Sequence, residues 1–520
     1  MHPVVYSRRM KDHALLAASI LTPILLGLAI TIQFQKPSLL LLLAGVAGVA
    51  AIVLLMSSPR YEVTLTVIVL YLGLLEGPAK LGSGSHAAAS VVRDVLIFSV
   101  CIGALVRLAG RREPIRFPPL SGWVLAFVGV VVLEAFNPKT AGIAKVAGGF
   151  RQQLEWVPFF FFGYALIRSK DRFRKLFILM GVIALANGLV GTYQTRLSPT
   201  ALAGWGPGYH ELVLGTNEEG GKTALAARTF GSGEGVGRVR PPALGTDAGF
   251  GGGVGGLALP ALLALIATGR LRRRWPMIIL ALGAILAVVT GLGRLQVVGA
   301  VLAVFAFIGL SFSAGRKVAK PLAAMLAIIA LGVPLIAVLI AVNGSGAFSR
   351  YTSIAPEKLA SAKDKKTTSL THIPTLLAAE PFGVGLGTVG AAAGFGGKQT
   401  NLYEGHGVSA ETQYNFVADE LGLPGLLVWC AFSIRLLVLG LTGLRRIRDI
   451  EIRIYLAAMI ASFIAMTIMG FEGPTMSSAA FGPFFWAFAG TCAYWFMGPG
   501  LKEQEQQQER ERALKAVPAT

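Results

Sequence analysis

The chain has 520 residues, of which 54% are hydrophobic and only 14% charged, and its mean hydropathy is +0.64. Soluble domains of ordinary make-up carry about 25% charged residues, so a water-soluble enzyme, a coiled coil and a disordered scaffold are all excluded. The net charge of +20 would suggest nucleic acid if it lay on one soluble face, but here it is spread in short basic loops between apolar runs, the positive-inside pattern of a polytopic membrane protein.

At about 20 apolar residues per crossing, the roughly 280 hydrophobic residues fill on the order of 14 transmembrane helices. Arg8, Arg9 and Lys11 precede an apolar run at 14–32. With no small-x-small cleavage site behind it, this run reads as a retained first helix and not as a signal peptide. Basic clusters follow at Arg60, 107–116, 168–175, 270–274, 316–320, 445–453 and from Lys502 onward. If these mark the cytoplasmic side, an even number of spans must separate neighbouring clusters. The apolar runs meet that condition in pairs: 14–32 with 39–56, 64–75 with 90–106, 120–135 with 156–167, and 176–193 with 250–267. Further along, 277–290 pairs with 296–312, 322–342 with 423–441, and 454–471 with 479–497.

The expected fold is therefore all-α, a polytopic integral membrane protein with both termini cytoplasmic and two large extracytoplasmic loops. Its expected divisions are N-terminal transmembrane helices at 1–196, an outer loop at 197–247, central helices with a hairpin at Arg294 at 248–342, a large outer loop at 343–420, C-terminal helices at 421–498, and a cytoplasmic tail at 499–520. Both loops are too long for simple turns and are expected to carry function. The first is rich in Gly and holds Trp205, Tyr209 and His210; the second holds Lys358, Lys363, Lys365 and Lys366, which read as part of short interfacial helices.

Several smaller signals are assigned no chemistry. Cys101, Cys430 and Cys492 lie in apolar runs without ligand spacing and read as packing residues. Arg93 and Asp94 read as a local ion pair near the end of a helix. Gly385-Leu-Gly-Thr-Val-Gly390 fits G-x-G-x-x-G, but it lacks the strand and crossover helix of a dinucleotide site and reads as a backbone bend or a turn that approaches phosphate. No P-loop, H-E-x-x-H, G-x-S-x-G or paired CxxC occurs. No metal site and no cofactor are expected, and nucleic acid is not an expected partner.

The most informative geometry lies at Thr290-Gly-Leu-Gly-Arg294. An unbroken helix between the basic runs ending at Arg274 and starting at Arg316 would be too long for one crossing, so the chain must turn back near Gly291 and Gly293. An arm of about 24 Å against a hydrocarbon core of about 30 Å leaves Arg294 recessed. An arginine there costs about 2.5–3.5 kcal/mol on the insertion scale and should face a polar cavity or a partner; the plainer alternative is a snorkelling helix end.

The stretch Glu411-Thr-Gln-Tyr-Asn-Phe-Val-Ala-Asp-Glu-Leu-Gly-Leu-Pro-Gly425, with Pro381-Phe-Gly-Val-Gly-Leu-Gly387 upstream, resembles the signature region of the O-antigen ligase and polymerase superfamily, the WaaL-type ligases and Wzy-type polymerases. In ligases this helix typically begins with His-Asn, nine residues before a Glu-x-Gly; here Glu411 stands nine residues before Glu420, as in the Glu-Thr-x-Tyr form of polymerase-like members. Thr290 to Arg294 looks like the superfamily's Thr-x-Ser-Arg turn with Gly293 in place of serine. Arg240-Pro-Pro-Ala-Leu-Gly-Thr-Asp-Ala-Gly-Phe250 resembles, more loosely, its arginine-containing segment.

The resemblance implies a bacterial plasma (inner) membrane enzyme that handles a polyprenyl-diphosphate-linked oligosaccharide among membrane lipids, alongside chain-length regulator and flippase proteins. Such a donor carries its own leaving group, so the enzyme must neutralise charge building on the diphosphate and deprotonate an acceptor hydroxyl. Arg294 and Arg240, with Arg238 as a further candidate, suit the first task because a guanidinium binds phosphate oxygens in pairs. Glu411 suits the second if burial raises its pKa, with His406 as the alternative base and Tyr414 beside it as a substrate contact. The structural alternatives are a surface histidine at 406 and an N-terminal capping carboxylate at 411. The expected activity is polymerisation of lipid-linked repeats into O-antigen or exopolysaccharide. A ligase delivering the glycan to lipid A core or protein is the nearest alternative, and a lipid-linked oligosaccharide flippase or transporter is the rival of another class.

Overall fold

The computed structural model describes residues 61–83, 92–94, 96–98, 100–101, 117–140, 142–214, 229–230, 238–269, 274–313, 331–342, 348, 351, 370–390, 392 and 412–502. These residues are mostly helical, at 79%. In chain order the helices include α1 (Tyr61–Leu70), α2 (Glu76–Ser83), α3 (Ser121–Glu134), α4 (Ile143–Leu154), α5 (Pro158–Leu166), α6 (Lys170–Gln194), α7 (Pro199–Ala203) and α8 (Pro207–Leu214). They continue as α9 (Phe250–Thr268), α10 (Arg274–Thr290), α11 (Arg294–Ser313), α12 (Leu331–Val342), α13 (Ile373–Ala379), α14 (Gln413–Gly443), α15 (Ile450–Met469) and α16 (Gly482–Met497). The described strands are a two-residue antiparallel pair, Thr229–Phe230 with Arg238–Val239.

Among the described residues six helices are long and apolar enough to cross a membrane: Leu65–Ser83, Lys170–Gln194, Phe250–Thr268, Arg294–Phe312, Gln413–Arg446 and Ile450–Met469. The chain is an all-α membrane protein at that level of description. The expected spans at 14–32 and 39–56 lie outside the described residues, as do Lys358, Lys363, Lys365 and Lys366. The outer loop expected at 197–247 contains α7 and α8. The helix expected to open within 411–425 begins at Gln413, its polar stretch before Leu421 held by internal hydrogen bonds and not by apolar burial.

The described residues divide into two compact units, one drawn from 1–116 and 190–250, the other from 117–189 and 251–520. In the first, α1 runs through a π-helical turn, Tyr71–Leu75, into α2. Immediately after that turn, fully buried Glu76 accepts a 2.5 Å hydrogen bond from Arg93 Nη1, whereas Asp94 lies 3.7 Å from Arg93 Nε. Arg93 is thus paired mainly across to Glu76 and only secondarily to its chain neighbour. Gly77 packs so tightly under the 240–247 loop that a Cβ there would lie 2.3 Å from the carbonyl oxygens of Leu244 and Gly245. Buried Gln194 fixes the same loop, accepting from Ala243 N at 2.8 Å and donating to its carbonyl at 3.1 Å. That pair of bonds holds Ala243 at φ 55°, a left-handed conformation that costs a non-glycine residue free energy.

In the second unit, small residues set the helix directions. Gly181 lies against Leu280 and Gly188 against Leu286, so α6 and α10 run parallel. Gly255 meets Ala284 and Gly291 meets Gly252, making α9 and α10 antiparallel; Gly252 meets Gln296 and Gly256 meets Ala300, making α9 and α11 parallel. It follows that α10 and α11 run oppositely and the chain reverses at Gly291-Leu292-Gly293. Close backbone approach through small residues is the usual basis of helix packing in lipid. It is tightest between α5 and α16, where a Cβ on Gly490 would lie 1.8 Å from the Phe160 carbonyl and one on Gly163 would lie 2.0 Å from that of Ala487.

At one end of these helices a polar network ties α6, α9 and α15 together. Arg174 donates to Glu451 at 2.5 Å and to Tyr455 at 3.2 Å, Lys170 pairs with Asp449 at 2.6 Å, and Thr268 meets the Tyr455 hydroxyl at 3.1 Å. This is the basic end, where α6 and α10 start. The hairpin at Gly291 and the start of α14 lie at the opposite end.

Candidate functional site

The start of α14 is built on the loop that follows α15. Thr412 caps the helix by accepting from Asn415 N at 3.1 Å, satisfying one of the donors that every helix leaves open at its N-terminus. Gln413 N donates to the Gly470 carbonyl at 2.9 Å, and the Gln413 side-chain oxygen accepts from Met476 N at 2.8 Å. Tyr414 stacks on Phe471 with ring centres 4.3 Å apart and donates its hydroxyl to the Thr467 carbonyl at 3.3 Å. The same loop meets the hairpin, because a Cβ on Gly473 would lie 3.3 Å from Leu295. Arg294, half-buried, opens α11 one residue before Leu295.

The structure therefore brings Arg294 and Tyr414 to the two sides of one loop, residues 469–476. Arg238 and Arg240 belong to the other compact unit, Arg238 exposed on its strand and Arg240 half-buried at the head of the pinned 240–247 loop. Glu411 and His406 lie outside the described residues. Tyr351 donates to the carbonyls of Val289 at 2.6 Å and Val288 at 3.2 Å, attaching this residue to the last turn of α10.

A second polar centre was not apparent from sequence. Glu420 is fully buried, and its carboxylate collects donors from three directions: Gln153 Nε2 at 2.7 Å, Gln152 Nε2 at 3.3 Å, and the backbone N–H groups of Thr388 and Val389 at 3.2 and 3.4 Å. Buried polar groups persist only when satisfied in this way. Lys145, also buried, belongs to the same cluster; burial pushes its ammonium below the ordinary lysine range, and the Glu420 charge opposes that shift. Gln152, Gln153 and Lys145 all come from α4, which hydropathy assigns to a connection because its polar residues break the apolar run.

The turn at 381–390 clasps these parts together. Val384 N donates to the Asp419 carbonyl at 2.8 Å and Leu423 N to the Pro381 carbonyl at 2.8 Å. Between those bonds Gly422 leaves the helical region (φ 59°, ψ −157°) and breaks α14. Gly383, at φ 83°, packs on the break so closely that a Cβ would lie 2.7 Å from Gly422 N. Both positions favour glycine for conformation and for space. A Cβ on Gly387 would lie 2.4 Å from the Lys145 carbonyl, so the G-x-G-x-x-G stretch is a bend pressed against the chain itself.

Helix α3 ends at the same place. Its 14 residues are about 21 Å long at 1.5 Å per residue, short of a core of about 30 Å. After a non-helical break the chain continues as α4, and Asn137 in that break donates to the Gly383 carbonyl at 3.3 Å. Two interrupted helices and a glycine turn thus converge. Such breaks leave backbone polar groups that are tolerated at membrane depth only where protein or a wet cavity satisfies them. Among the described residues no group of three or more His, Cys, Asp or Glu is arranged to hold a metal ion. No protein-family model matches the chain, and no curated protein matches it in sequence.

Proposed function

We propose that the chain is an extracytoplasmic glycosyltransferase that polymerises polyprenyl-diphosphate-linked oligosaccharide repeats into a surface polysaccharide. The observation that carries this reading is the union of the motif segments. Residues 381–390 and 413–425 are hydrogen-bonded into one assembly, and the start of α14 shares the 469–476 loop with the Arg294 hairpin. In this reading Arg294 neutralises charge developing on the diphosphate leaving group; Arg240 and Arg238 are the further candidates for that task. Glu411, or His406 in its place, takes the proton of an acceptor hydroxyl as its oxygen attacks the anomeric carbon and the bond to diphosphate breaks. Glu420 serves as an internal anchor and touches no substrate.

One observation favours the rival class. Glu76, on a candidate membrane span beside a π-helical turn, forms a buried ion pair with Arg93; intramembrane charges often mark transport pathways and π-turns functional sites. Deleting the gene and sizing the surface polysaccharide separates the readings. Polymerase loss leaves single repeats on the surface, ligase loss leaves long unattached chains, and flippase loss leaves lipid-linked repeats trapped on the cytoplasmic face.

A further inference from the structure

The break between α3 and α4 and the residues before the glycine turn enclose a cleft of about 410 Å³, within the size range of small-ligand sites. Its polar side chains are Glu134, Asn137, Lys139 and Glu380. Asn137 is fully engaged, donating to Glu134 Oε2 at 2.8 Å and to the Gly383 carbonyl at 3.3 Å while its oxygen accepts from Lys139 N at 3.0 Å. Lys139 Nζ is bonded to Glu380 Oε1. Among the described residues Glu134 Oε1 and Glu380 Oε2 have no donor. The cleft therefore offers two carboxylate oxygens able to accept, next to an ammonium with N–H groups to spare.

That inventory selects a class of ligand. Two carboxylates against one ammonium leave a surplus negative charge, which disfavours a phosphate, and a quaternary ammonium head has no N–H to donate to the open carboxylate oxygens. A head bearing neighbouring hydroxyls, each able both to donate and to accept, satisfies both kinds of group at once. The rim is apolar and open: Leu133 is 71%, Phe136 80% and Phe382 68% exposed. Flat aromatic faces at such a rim suit the C–H faces of a pyranose ring and the first carbons of a lipid chain. We infer that this cleft binds the neutral sugar head of an amphiphile, with hydroxyls on Glu134 and Glu380 and the apolar part across Phe136 and Phe382. Such an amphiphile is a neutral glycolipid and not the diphosphate-linked repeat of the glycosyl-transfer reading, so the two proposals stand apart.

The test is equilibrium binding to the full-length protein in phospholipid nanodiscs, followed by saturation-transfer NMR. The probes are octyl β-glucoside below its micelle concentration, octyl phosphate and octyltrimethylammonium, so that the chain is constant and only the head varies. Octyl glucoside is expected to bind best, and Glu380→Ala and Phe382→Ala are each expected to weaken it at least fivefold. Phe382 is exposed and Glu380 half-buried at the edge of the cleft, so the fold should be retained, and unchanged thermal unfolding verifies this. Tighter binding of octyl phosphate or of octyltrimethylammonium overturns the proposal, as does equal binding of all three probes with no effect of Glu380→Ala, or no binding at all. Because binding is read without turnover, it is separable from the catalytic reading. Failure here with intact polymer extension removes the cleft alone, and binding here without extension removes the catalytic reading alone.

Discussion

Replacing Glu420 separates a structural anchor from a chemical participant. Gln153 Nε2 approaches Oε2, while Gln152 and the N–H groups of Thr388 and Val389 approach Oε1. In Glu420→Gln the new amide can keep its oxygen toward the second group and turn its NH2 toward Gln153. The side-chain oxygen of Gln153 is buried and lacks a donor, so a flip of that amide restores the bond. The expected loss is below about 1.5 kcal/mol, the scale of one ordinary hydrogen bond. Glu420→Leu fills nearly the same volume but strands two backbone N–H groups that no side-chain rotation can satisfy. At about 1–3 kcal/mol for each buried unsatisfied group, its expected loss is about 2–6 kcal/mol. Thermal unfolding of purified protein, followed with a thiol-reactive dye that reports exposure of buried Cys492, gives the ranking. Wild-type stability in Glu420→Leu, or equal damage from both variants, would refute the anchor. So would a stable Glu420→Gln that had lost all activity, since that result would make the carboxylate a reactant.

Arg294→Lys should lower polymer extension at least tenfold, about 1.4 kcal/mol of transition-state stabilisation, because a point charge cannot bind phosphate oxygens in pairs; full extension by a well-expressed variant would leave this residue a helix end. Glu411→Gln should cut turnover by about 10²–10⁴-fold if it is the general base, and assaying it beside His406→Ala on lipid-linked repeats shows which residue holds that role. Gly490→Ala drives a methyl into the Phe160 carbonyl and should cost at least the about 1–3 kcal/mol typical of overpacking. Its control is Gly129→Ala, where a Cβ meets nothing within 4 Å and unfolding should be unchanged or slightly later; equal melting of the two variants would contradict the α5–α16 packing.

How much the sequence revealed depended on the physical signal behind each part. Long apolar runs made α6, α9, α11 and α15 legible, because burial in lipid writes a continuous hydrophobic stretch. The hairpin at Gly291 and Gly293 was legible by length, since neither arm could continue without overrunning a bilayer. Helix α4 was not legible, because Lys145, Gln152 and Gln153 turn inward to meet Glu420 and so read as surface in a hydropathy scan. The upper part of α14 was legible only through the Glu411–Gly425 motif, because its polar residues, satisfied by the 381–390 turn and the loop at 469–476, break the apolar run. Glu76 escaped notice because its partner Arg93 lies 17 residues away, beyond the reach of local spacing rules. Of the residues proposed for chemistry, Arg294 and Tyr414 could be brought together only by a loop that follows a different helix.

The central claim is tested most directly by reconstituting the purified protein in liposomes with a radiolabelled polyprenyl-diphosphate-linked repeat and resolving the products by size. Polymerisation predicts a ladder extending one repeat at a time, with free polyprenyl diphosphate released for each bond formed. Repeats that cross the bilayer unchanged in length, with no diphosphate carrier released, would contradict glycosyl transfer and make the protein a transporter.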